Sequence, residues 1–195
     1  DLPQALHALW GTLFTVLSFL STTGFESTHW EAAQAWSGLE TPGMILLGLA
    51  VFGGGVATTA GGVKLLRVYA LYLNGLREME RLVHPSSVSS EGNRAKRLQK
   101  NGAFVAWVFF MLFALSLAVV STALAAVGTD FEQSLVLAVA ALSTTGPLAD
   151  TASSTPIVLN LLTDPAKLIL CIAMVLGRLE TLAFIALLSP NLWRS

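Results

Sequence analysis

The chain has 195 residues, of which 54% are hydrophobic and only 12% are charged, and its formal net charge at pH 7 is −1. Soluble domains carry about a quarter charged residues, so this composition argues against a soluble protein and predicts a membrane protein. The single cysteine, Cys171, excludes a disulfide within the chain and argues against a cysteine metal cluster.

The basic residues are concentrated in one polar segment. Six of the 11 Lys and Arg residues lie within residues 76–102, and none lies within residues 1–63 or 101–166. Because cytoplasmic loops of membrane proteins carry an excess of positive charge, we expect residues 76–102 to form a cytoplasmic loop. Acidic residues flank the apolar runs on what we expect to be the opposite side, namely Glu26, Glu31, Glu40, Asp130, Glu132, Asp150 and Asp164.

The first part of the chain predicts two helices separated by a loop. Residues 2–21 are uncharged and predict a helix, whereas residues 24–40 predict a polar loop whose Trp30 and Trp36 suit a membrane interface. A second apolar helix starts at Pro42, since proline is tolerated in a first helical turn.

A glycine-rich segment interrupts this second helix. Five of the ten residues 53–62 are glycine, and an apolar pattern resumes at Val63. A helix broken at membrane depth is tolerated only where it is buried in protein or lines a water-filled cavity. The segment lacks the GxxxxGK[ST] spacing of a nucleotide-binding loop, so we reject that interpretation.

The second part of the chain predicts two spanning helices with a shorter helix between them. Residues 103–127 are uncharged and about 37 Å long as a helix, which is sufficient to span a bilayer. Residues 131–143 reach only about 20 Å as a helix, so we expect them to be re-entrant. Loop residues follow to Thr163, and residues 167–188 predict the last spanning helix.

An internal repeat organises these elements. The tetrapeptide Ser-Thr-Thr-Gly occurs at residues 21–24 and again at residues 143–146, each time closing an uncharged apolar run. Internal repetition of this kind defines the architecture. Downstream residues recur at an offset of 123, namely Pro42 with Pro165 and Gly54 with Gly177.

The repeated unit is a short helix, the tetrapeptide, a polar loop and a proline-started long helix. The second copy, within residues 103–195, begins with its own spanning helix, whereas the first copy, within residues 1–75, lacks one. We therefore expect a partial repeat followed by a complete repeat, both belonging to a longer parent chain.

The two tetrapeptides predict a cation site. A short helix that ends at mid-depth of the membrane points the negative end of its dipole at that position, and carbonyls of extended backbone can replace the hydration shell of a cation. The alternative is that each Thr-Thr-Gly is merely a helix C-cap. The predicted filter residues are Thr22, Thr23, Gly24, Phe25, Thr144, Thr145, Gly146 and Pro147, with the ion at the first three of each set.

Arg178 lies near the centre of the last predicted spanning helix. An arginine at that depth costs about 2.5–3.5 kcal/mol on insertion scales, so it faces protein or water. By the repeat it lies at the depth of the glycine-rich segment, which predicts a gate; the alternative is a structural arginine that holds helices together. The predicted gate residues are Arg178, Gly53, Gly54, Gly55, Thr58, Thr59, Gly61, Gly62 and Lys64.

The remaining polar residues carry no catalytic pattern. We expect Arg67 at the cytoplasmic interface and leave Lys64 open between the gate and that interface. The three histidines are scattered without ligand spacing, and no nucleophile–base pair, metal motif or organic cofactor site is visible. We therefore predict neither an enzyme nor a nucleic-acid-binding protein.

These motifs, in their order and spacing, resemble the Trk/Ktr/HKT superfamily of potassium transporters, most closely its bacterial TrkH type. The resemblance covers nearly the whole chain. It depends on STTGF at residues 21–25, GGGVATTAGGVK at residues 53–64, STTGP at residues 143–147 and GRLE at residues 177–180.

The resemblance implies an all-α membrane protein with four membrane helix–pore helix–filter–membrane helix repeats arranged with pseudo-fourfold symmetry around one pore. This chain matches the third repeat without its first helix, followed by the complete fourth repeat. Gly24 and Gly146 match filter glycines, residues 53–62 match an intramembrane loop below the filter, and Arg178 matches an arginine that bars the pore.

The resemblance further implies partners and a location. The partners are the N-terminal repeats of the parent chain, a second copy in a homodimer, and a cytoplasmic RCK-type nucleotide-binding ring that is TrkA-like. The location is the cytoplasmic (inner) membrane, with the C-terminus in the cytoplasm.

The sequence thus predicts a channel-like K⁺ uptake protein with the acidic residues concentrating cations at the outer mouth. Two alternatives stay open. One is a secondary carrier with broken helices, and the other is a non-transporting membrane scaffold whose glycines only pack helices.

Overall fold

A computed structural model describes residues 2–38, 41–55, 60–83, 93–153 and 157–179. Within these ranges the regular structure is helical and no β-strand occurs. The elements are α1 (Leu2–Leu20), α2 (Trp30–Ser37), α3 (Pro42–Val51), α4 (Leu65–Val83), α5 (Asn93–Ala126), α6 (Phe131–Leu142), α7 (Leu148–Thr151), a 3₁₀ turn (Leu159–Leu161) and α8 (Asp164–Leu179).

The short helix α6 lies at the centre of the described fold. Every residue from Val136 to Leu142 is buried, as expected for a helix that is apolar on all sides. One part of its surface packs with α5 and α8, and Val139 and Ala140 pack instead with residues of α1, α2 and α3. The two repeats therefore share one helix as a common core.

The corresponding short helix α1 has a different environment. It packs against α2 and α3, with Phe19 fully buried, but its other face is exposed within the described part of the chain. In the second repeat, α5 packs against α6 and shields it. The exposed apolar residues of α1 are Leu6, Leu9, Trp10, Leu13, Phe14 and Leu17.

The longest apolar helix is α5. Residues Gly102–Ala126 form the one helical stretch, within the described residues, that is long and apolar enough to cross a membrane. This matches the spanning segment predicted at residues 103–127. The last predicted spanning helix is described as α8 up to Leu179, and its remainder lies outside the described residues.

The prediction of a loop over residues 76–102 was wrong for most of its length. Helix α4 continues to Val83 and α5 begins at Asn93, so only residues 84–92 between them lie outside the description. The stretch from 76 to 83 is built from Leu, Arg, Glu and Met, which are strong helix formers even without an apolar face. Charge alone therefore does not indicate a loop.

The segment expected as a polar loop over residues 24–40 contains the helix α2. Trp30 is 9% exposed and packs in the core with Ala33 and Phe19. Trp36, on the other side of α2, is exposed. The sequence did not reveal this short amphipathic helix, because eight residues are about two turns and show little periodicity.

The break predicted between two halves of a helix is confirmed. Helix α3 begins at Pro42 and ends at Val51, and α4 begins only at Leu65. The backbone between them folds back, with the N–H of Val63 donating to the carbonyl of Val51 at 2.8 Å.

Glycine permits the close approach of α8 to the end of α6. A Cβ atom built on Gly177 would collide with the carbonyl oxygen and Cα of Leu142. Gly75, in α4, has open space around the same position. These two helical glycines therefore form a matched pair, one constrained by packing and one free.

We expect Gly177→Ala to lower the free energy of unfolding by about 1–3 kcal/mol, because the added methyl separates α8 from α6. Gly75→Ala is expected to leave stability unchanged or raise it by up to about 1 kcal/mol, since alanine favours a helix. Thermal unfolding of the full-length protein in detergent measures both. Equal losses for the two variants would contradict the packing argument.

Candidate ion-binding site

The chain leaves α1 through a Schellman turn, which we call the first threonine turn (residues 21–25). Thr22 donates its N–H to the carbonyl of Phe19 at 3.1 Å, and Thr23 donates to Ser18 at 2.9 Å. Thr22 has a φ of +57°, in the left-handed region. These two hydrogen bonds and the left-handed residue define this helix ending.

The second threonine turn (residues 143–147) repeats this geometry after α6. Thr144 donates to Ala141 at 3.2 Å and Thr145 donates to Ala140 at 2.9 Å, and Thr144 has a φ of +58°. The sequence repeat is thus also a repeat of backbone conformation. The C-cap that the sequence left as an alternative is present at both positions.

Threonine occupies the left-handed position of both caps, where glycine is the usual residue. The left-handed position of a Schellman turn is usually glycine, because a Cβ there costs about 1–2 kcal/mol. A β-branched residue with positive φ is a genuine outlier, and such strain concentrates at functional sites. Thr22 and Thr144 are the two non-glycine residues with positive φ in the described chain. A cap alone does not account for threonine at both.

The two threonine turns touch each other at Gly24. This residue is buried and has a φ of +84°, and a Cβ built on it would lie 2.7 Å from Cγ2 of Thr145 and 3.1 Å from Cδ of Pro147. Both the conformation and the space therefore require glycine. Thr145, which closes this contact, is completely buried.

The second filter glycine is not equivalent to the first. Gly146 is exposed, has no positive φ, and has open space where a Cβ would be. The conformation and the surrounding space therefore require glycine at position 24 but not at position 146. Thr23 and Phe25 are exposed as well.

Acidic residues from both repeats meet at one opening. A cavity of about 200 Å³ is lined by Gly24, Phe25 and Pro147 together with Glu26 and Asp150. The two carboxylates belong to segments more than a hundred residues apart in the chain. Their negative charge favours the accumulation of cations at this opening, next to both threonine turns.

The glycine-rich segment lies against the ends of both short helices. The N–H of Gly54 donates to the carbonyl of Leu20 at 2.9 Å, and the N–H of Gly62 donates to the carbonyl of Leu142 at 3.3 Å. Leu20 and Leu142 are the last residues of α1 and α6. Carbonyls at a helix C-terminus have no partner within the helix, so one loop satisfies both.

Close contact makes glycine necessary in this loop. A Cβ on Gly53 would lie 2.5 Å from the carbonyl oxygen of Leu20, and a Cβ on Gly61 would lie 2.5 Å from the carbonyl carbon of Ser143. Gly54 and Gly62 have φ values of +93° and +75°. Thr58 and Thr59, predicted as gate residues, lie outside the described residues.

A family model described as "TrkH: Cation transport protein" matches residues 2–195. The chain belongs to the TrkH family. The resemblance inferred from the motifs is therefore confirmed, and with it a membrane-protein class of ion transporters rather than enzymes.

Individual relatives are similarly named. The Trk system potassium uptake protein TrkH of Salmonella typhimurium is 36% identical over 198 residues, which cover 98% of this chain and 38% of the relative. TrkH of Escherichia coli K12 is 34% identical over 197 residues, covering 98% and 38%. TrkG of the same strain, also a Trk system potassium uptake protein, is 32% identical over 180 residues, covering 91% and 36%.

A solved structure has the same fold. The crystal structure of the potassium transporter TrkH from Vibrio parahaemolyticus superposes with a TM-score of 0.74 at 29% sequence identity, over 94% of this chain and 38% of that one. The chain thus spans a little over a third of the length of the TrkH relatives that it matches.

The predicted gate arginine follows the glycine that packs on α6. Arg178 is exposed and comes directly after Gly177, whose Cα lies against Leu142. In the first repeat, Gly53 packs in the same way on Leu20. This contact makes Gly53 the structural counterpart of Gly177, one residue before the Gly54 that the offset of 123 predicts.

Lys64 and Arg67 differ in their surroundings. Lys64 is half-buried directly before α4, and its carbonyl accepts the N–H of Arg67 at 2.9 Å. The guanidinium carbon of Arg67 lies 3.6 Å from the ring centroid of Phe109 in α5. Arg67 thus forms a contact between α4 and α5, and its position at the cytoplasmic interface stays a prediction.

Two contacts were invisible in the sequence. His7 and His29, which we regarded as scattered, have ring centroids only 4.5 Å apart. Arg67 and Phe109 are likewise separated by the whole basic segment. The residue pattern of a single helix does not predict such pairs, because they depend on how the helices cross.

Replacing the strained threonine with glycine is expected to stabilise this TrkH-family chain. Thr144→Gly removes about 1–2 kcal/mol of left-handed strain but costs about 0.5–1 kcal/mol through the greater chain entropy of the unfolded state, so stability rises by up to about 1.5 kcal/mol.

The neighbouring variant Thr145→Gly is the control and is expected to lose about 1–3 kcal/mol, because a buried side chain is deleted. Thermal unfolding of the full-length protein measures both. A destabilised Thr144→Gly protein would show that the left-handed threonine is not strained.

Proposed function

We propose that this chain supplies two of the four filter segments of a channel-like transporter that takes up K⁺ across the cytoplasmic membrane. The observation that carries the proposal is the pair of threonine turns, which share a strained conformation and touch at Gly24. The relatives are named as potassium uptake proteins, and this supports potassium as the ion.

The ion would bind to backbone carbonyls of Thr22, Thr23 and Gly24 and of their counterparts Thr144, Thr145 and Gly146. Thr22 and Gly24 both have a positive φ, and Thr144 repeats the conformation of Thr22 in the second turn. Backbone carbonyls that line a pore replace the hydration shell of a cation. Glu26 and Asp150 at the shared opening would raise the local concentration of cations before they enter.

The glycine loop would form the gate together with Arg178. In the described conformation the loop seals the carbonyls of Leu20 and Leu142, so withdrawing it breaks two hydrogen bonds. A typical hydrogen bond contributes about 0.5–1.5 kcal/mol net. Two such bonds favour the closed loop, and the free energy needed to break them is small enough for the loop to open. Arg178, at the same depth, would oppose a passing cation by its charge.

The rest of the assembly follows the family. The missing two filter segments would come from N-terminal repeats of the parent chain, and the protein would form a homodimer. A TrkA-like nucleotide-binding ring would act on the cytoplasmic side, where α4 and the start of α5 carry the basic residues.

The deciding experiment compares K⁺ and Na⁺ flux through the full-length protein in liposomes. Selective, non-saturating K⁺ flux supports the proposal. Saturable flux that depends on an organic substrate would support the carrier with broken helices instead. Absence of any cation flux from intact protein would overturn both and favour a scaffold.

Gly24→Ser is expected to lower the K⁺/Na⁺ selectivity of flux by about tenfold or more, since each 1.4 kcal/mol of lost discrimination is about a factor of ten. The side chain at Gly24 would collide with Thr145 and displace the filter carbonyls.

Gly38→Ser is the matched control for that measurement. Gly38 also has a positive φ, +62°, but has open space around it at the end of α2. We expect it to keep the native selectivity. An unchanged ratio in the Gly24→Ser protein would contradict the placement of the filter.

Arg178→Ala is expected to raise K⁺ flux by about tenfold, since removing about 1.4 kcal/mol of a barrier gives that factor. Arg178→Lys keeps the charge and is expected to conduct as the native protein does. If Arg178→Ala changes thermal stability or assembly without changing flux, the arginine is structural and not part of a gate.

A further inference from the structure

The contact between Arg67 and Phe109 lies within the membrane-spanning part of α5. Phe109 is the eighth residue of the apolar stretch Gly102–Ala126, about 10 Å along the helix from its start. The guanidinium lies 3.6 Å from the ring centroid, a distance typical of a cation–π interaction. Arg67 is half-buried, and at such a site this interaction is stronger than in water.

A short series of contacts connects this pair to the filter. Arg67 lies in the first turn of α4, whose N–H at Leu65 donates to the carbonyl of Gly54 at 3.2 Å. Gly54 in turn donates its own N–H to the last carbonyl of α1, at Leu20. The position of the α4 start therefore sets the position of the loop glycine that seals α1.

A small cavity lies between the glycine loop and the pair formed by Arg67 and Phe109. Its volume is about 30 Å³, large enough for a water molecule. The loop residues Ala60, Gly62 and Val63 form one wall, and Arg67 and Phe109 form another. Gly61 packs closely on Ser143, but no side chain fills this space, so the loop lacks a packed neighbour on the α5 side. On that side the anchored start of α4 holds the loop.

We propose that the cation–π contact between Arg67 and Phe109 is a positioning device that holds the glycine loop in its sealed conformation. Arg67 acts through α4 and does not touch the ion. The inference rests on the proposed function, in which this loop is the gate. A weaker contact between Arg67 and Phe109 releases the start of α4. The loop then spends more time without its hydrogen bonds to the carbonyls of Leu20 and Leu142, and the K⁺ flux rises.

The test uses ring fluorination of Phe109 in the full-length protein. Successive fluorine atoms withdraw charge from the face of the ring and weaken its attraction for a cation, while the shape of the side chain changes little. We expect K⁺ flux in liposomes to rise stepwise, by about three- to thirty-fold for the most fluorinated ring, with unchanged K⁺/Na⁺ selectivity. Phe109→Trp, which strengthens the interaction, is expected to lower the flux.

Phe113 provides the matched control. It lies one turn further along α5 and lines the same cavity. Fluorination of Phe113 is expected to leave flux unchanged. An equal rise from both rings would show a packing effect and overturn the proposal, as would a flat response or a decrease across the Phe109 series.

Hydrogen exchange provides a readout that does not depend on flux. The amide protons of Gly54 and Gly62 are expected to exchange faster in the fluorinated Phe109 protein, and at native rates in the Phe113 control. If the native protein carries no K⁺, the proposed function fails, and the exchange rates still decide whether the contact holds the loop. Unchanged exchange in the Phe109 series would overturn the proposal.

Discussion

The structure depends on two hydrogen bonds from one loop to two helix ends. Each short helix, α1 and α6, finishes with a carbonyl that its own backbone cannot satisfy. The loop between α3 and α4 supplies an N–H to each, at Leu20 and at Leu142. A single segment of the first repeat thereby satisfies the helix ends of both repeats, and this constraint explains why the loop is rich in glycine. The close approach leaves no space for side chains at Gly53 or Gly61.

Above these hydrogen bonds, the threonine turns combine a conventional helix ending with an unconventional residue. Glycine would adopt the left-handed conformation of the cap with less strain, so the threonines at 22 and 144 indicate a requirement other than stability. The requirement that fits both is the direction of the carbonyls together with a rigid side chain beside them, since β-branched residues have restricted rotamers. In the proposed filter, the strain at these residues and the direction of the carbonyls arise from the same backbone conformation.

The sequence predicted those features that depend on local chain properties. The length of α6, the break after Val51 and the apolar span of α5 followed from composition and from the reach of a helix. The repeated tetrapeptide marked two helix ends with the same backbone conformation, which is the C-cap that stood as the alternative to a filter. Features that arise from the crossing of helices were not predictable, such as the contact of Arg67 with Phe109 and the different surroundings of Gly24 and Gly146. Helix α2 was missed because eight residues show little periodicity, and the ends of α4 and α5 were missed because their charged residues were interpreted as a loop.

The shared burial of α6 also has a consequence for the order in which this protein is made. Helix α6 is apolar but too short to cross the bilayer, so it gains a stable place only by packing between other helices. Helices α1, α2 and α3 are synthesised before it, whereas α8 leaves the ribosome about thirty residues later. The second repeat therefore cannot mature by itself. Insertion of α8 completes the burial of α6 on the side that faces α5 and α8.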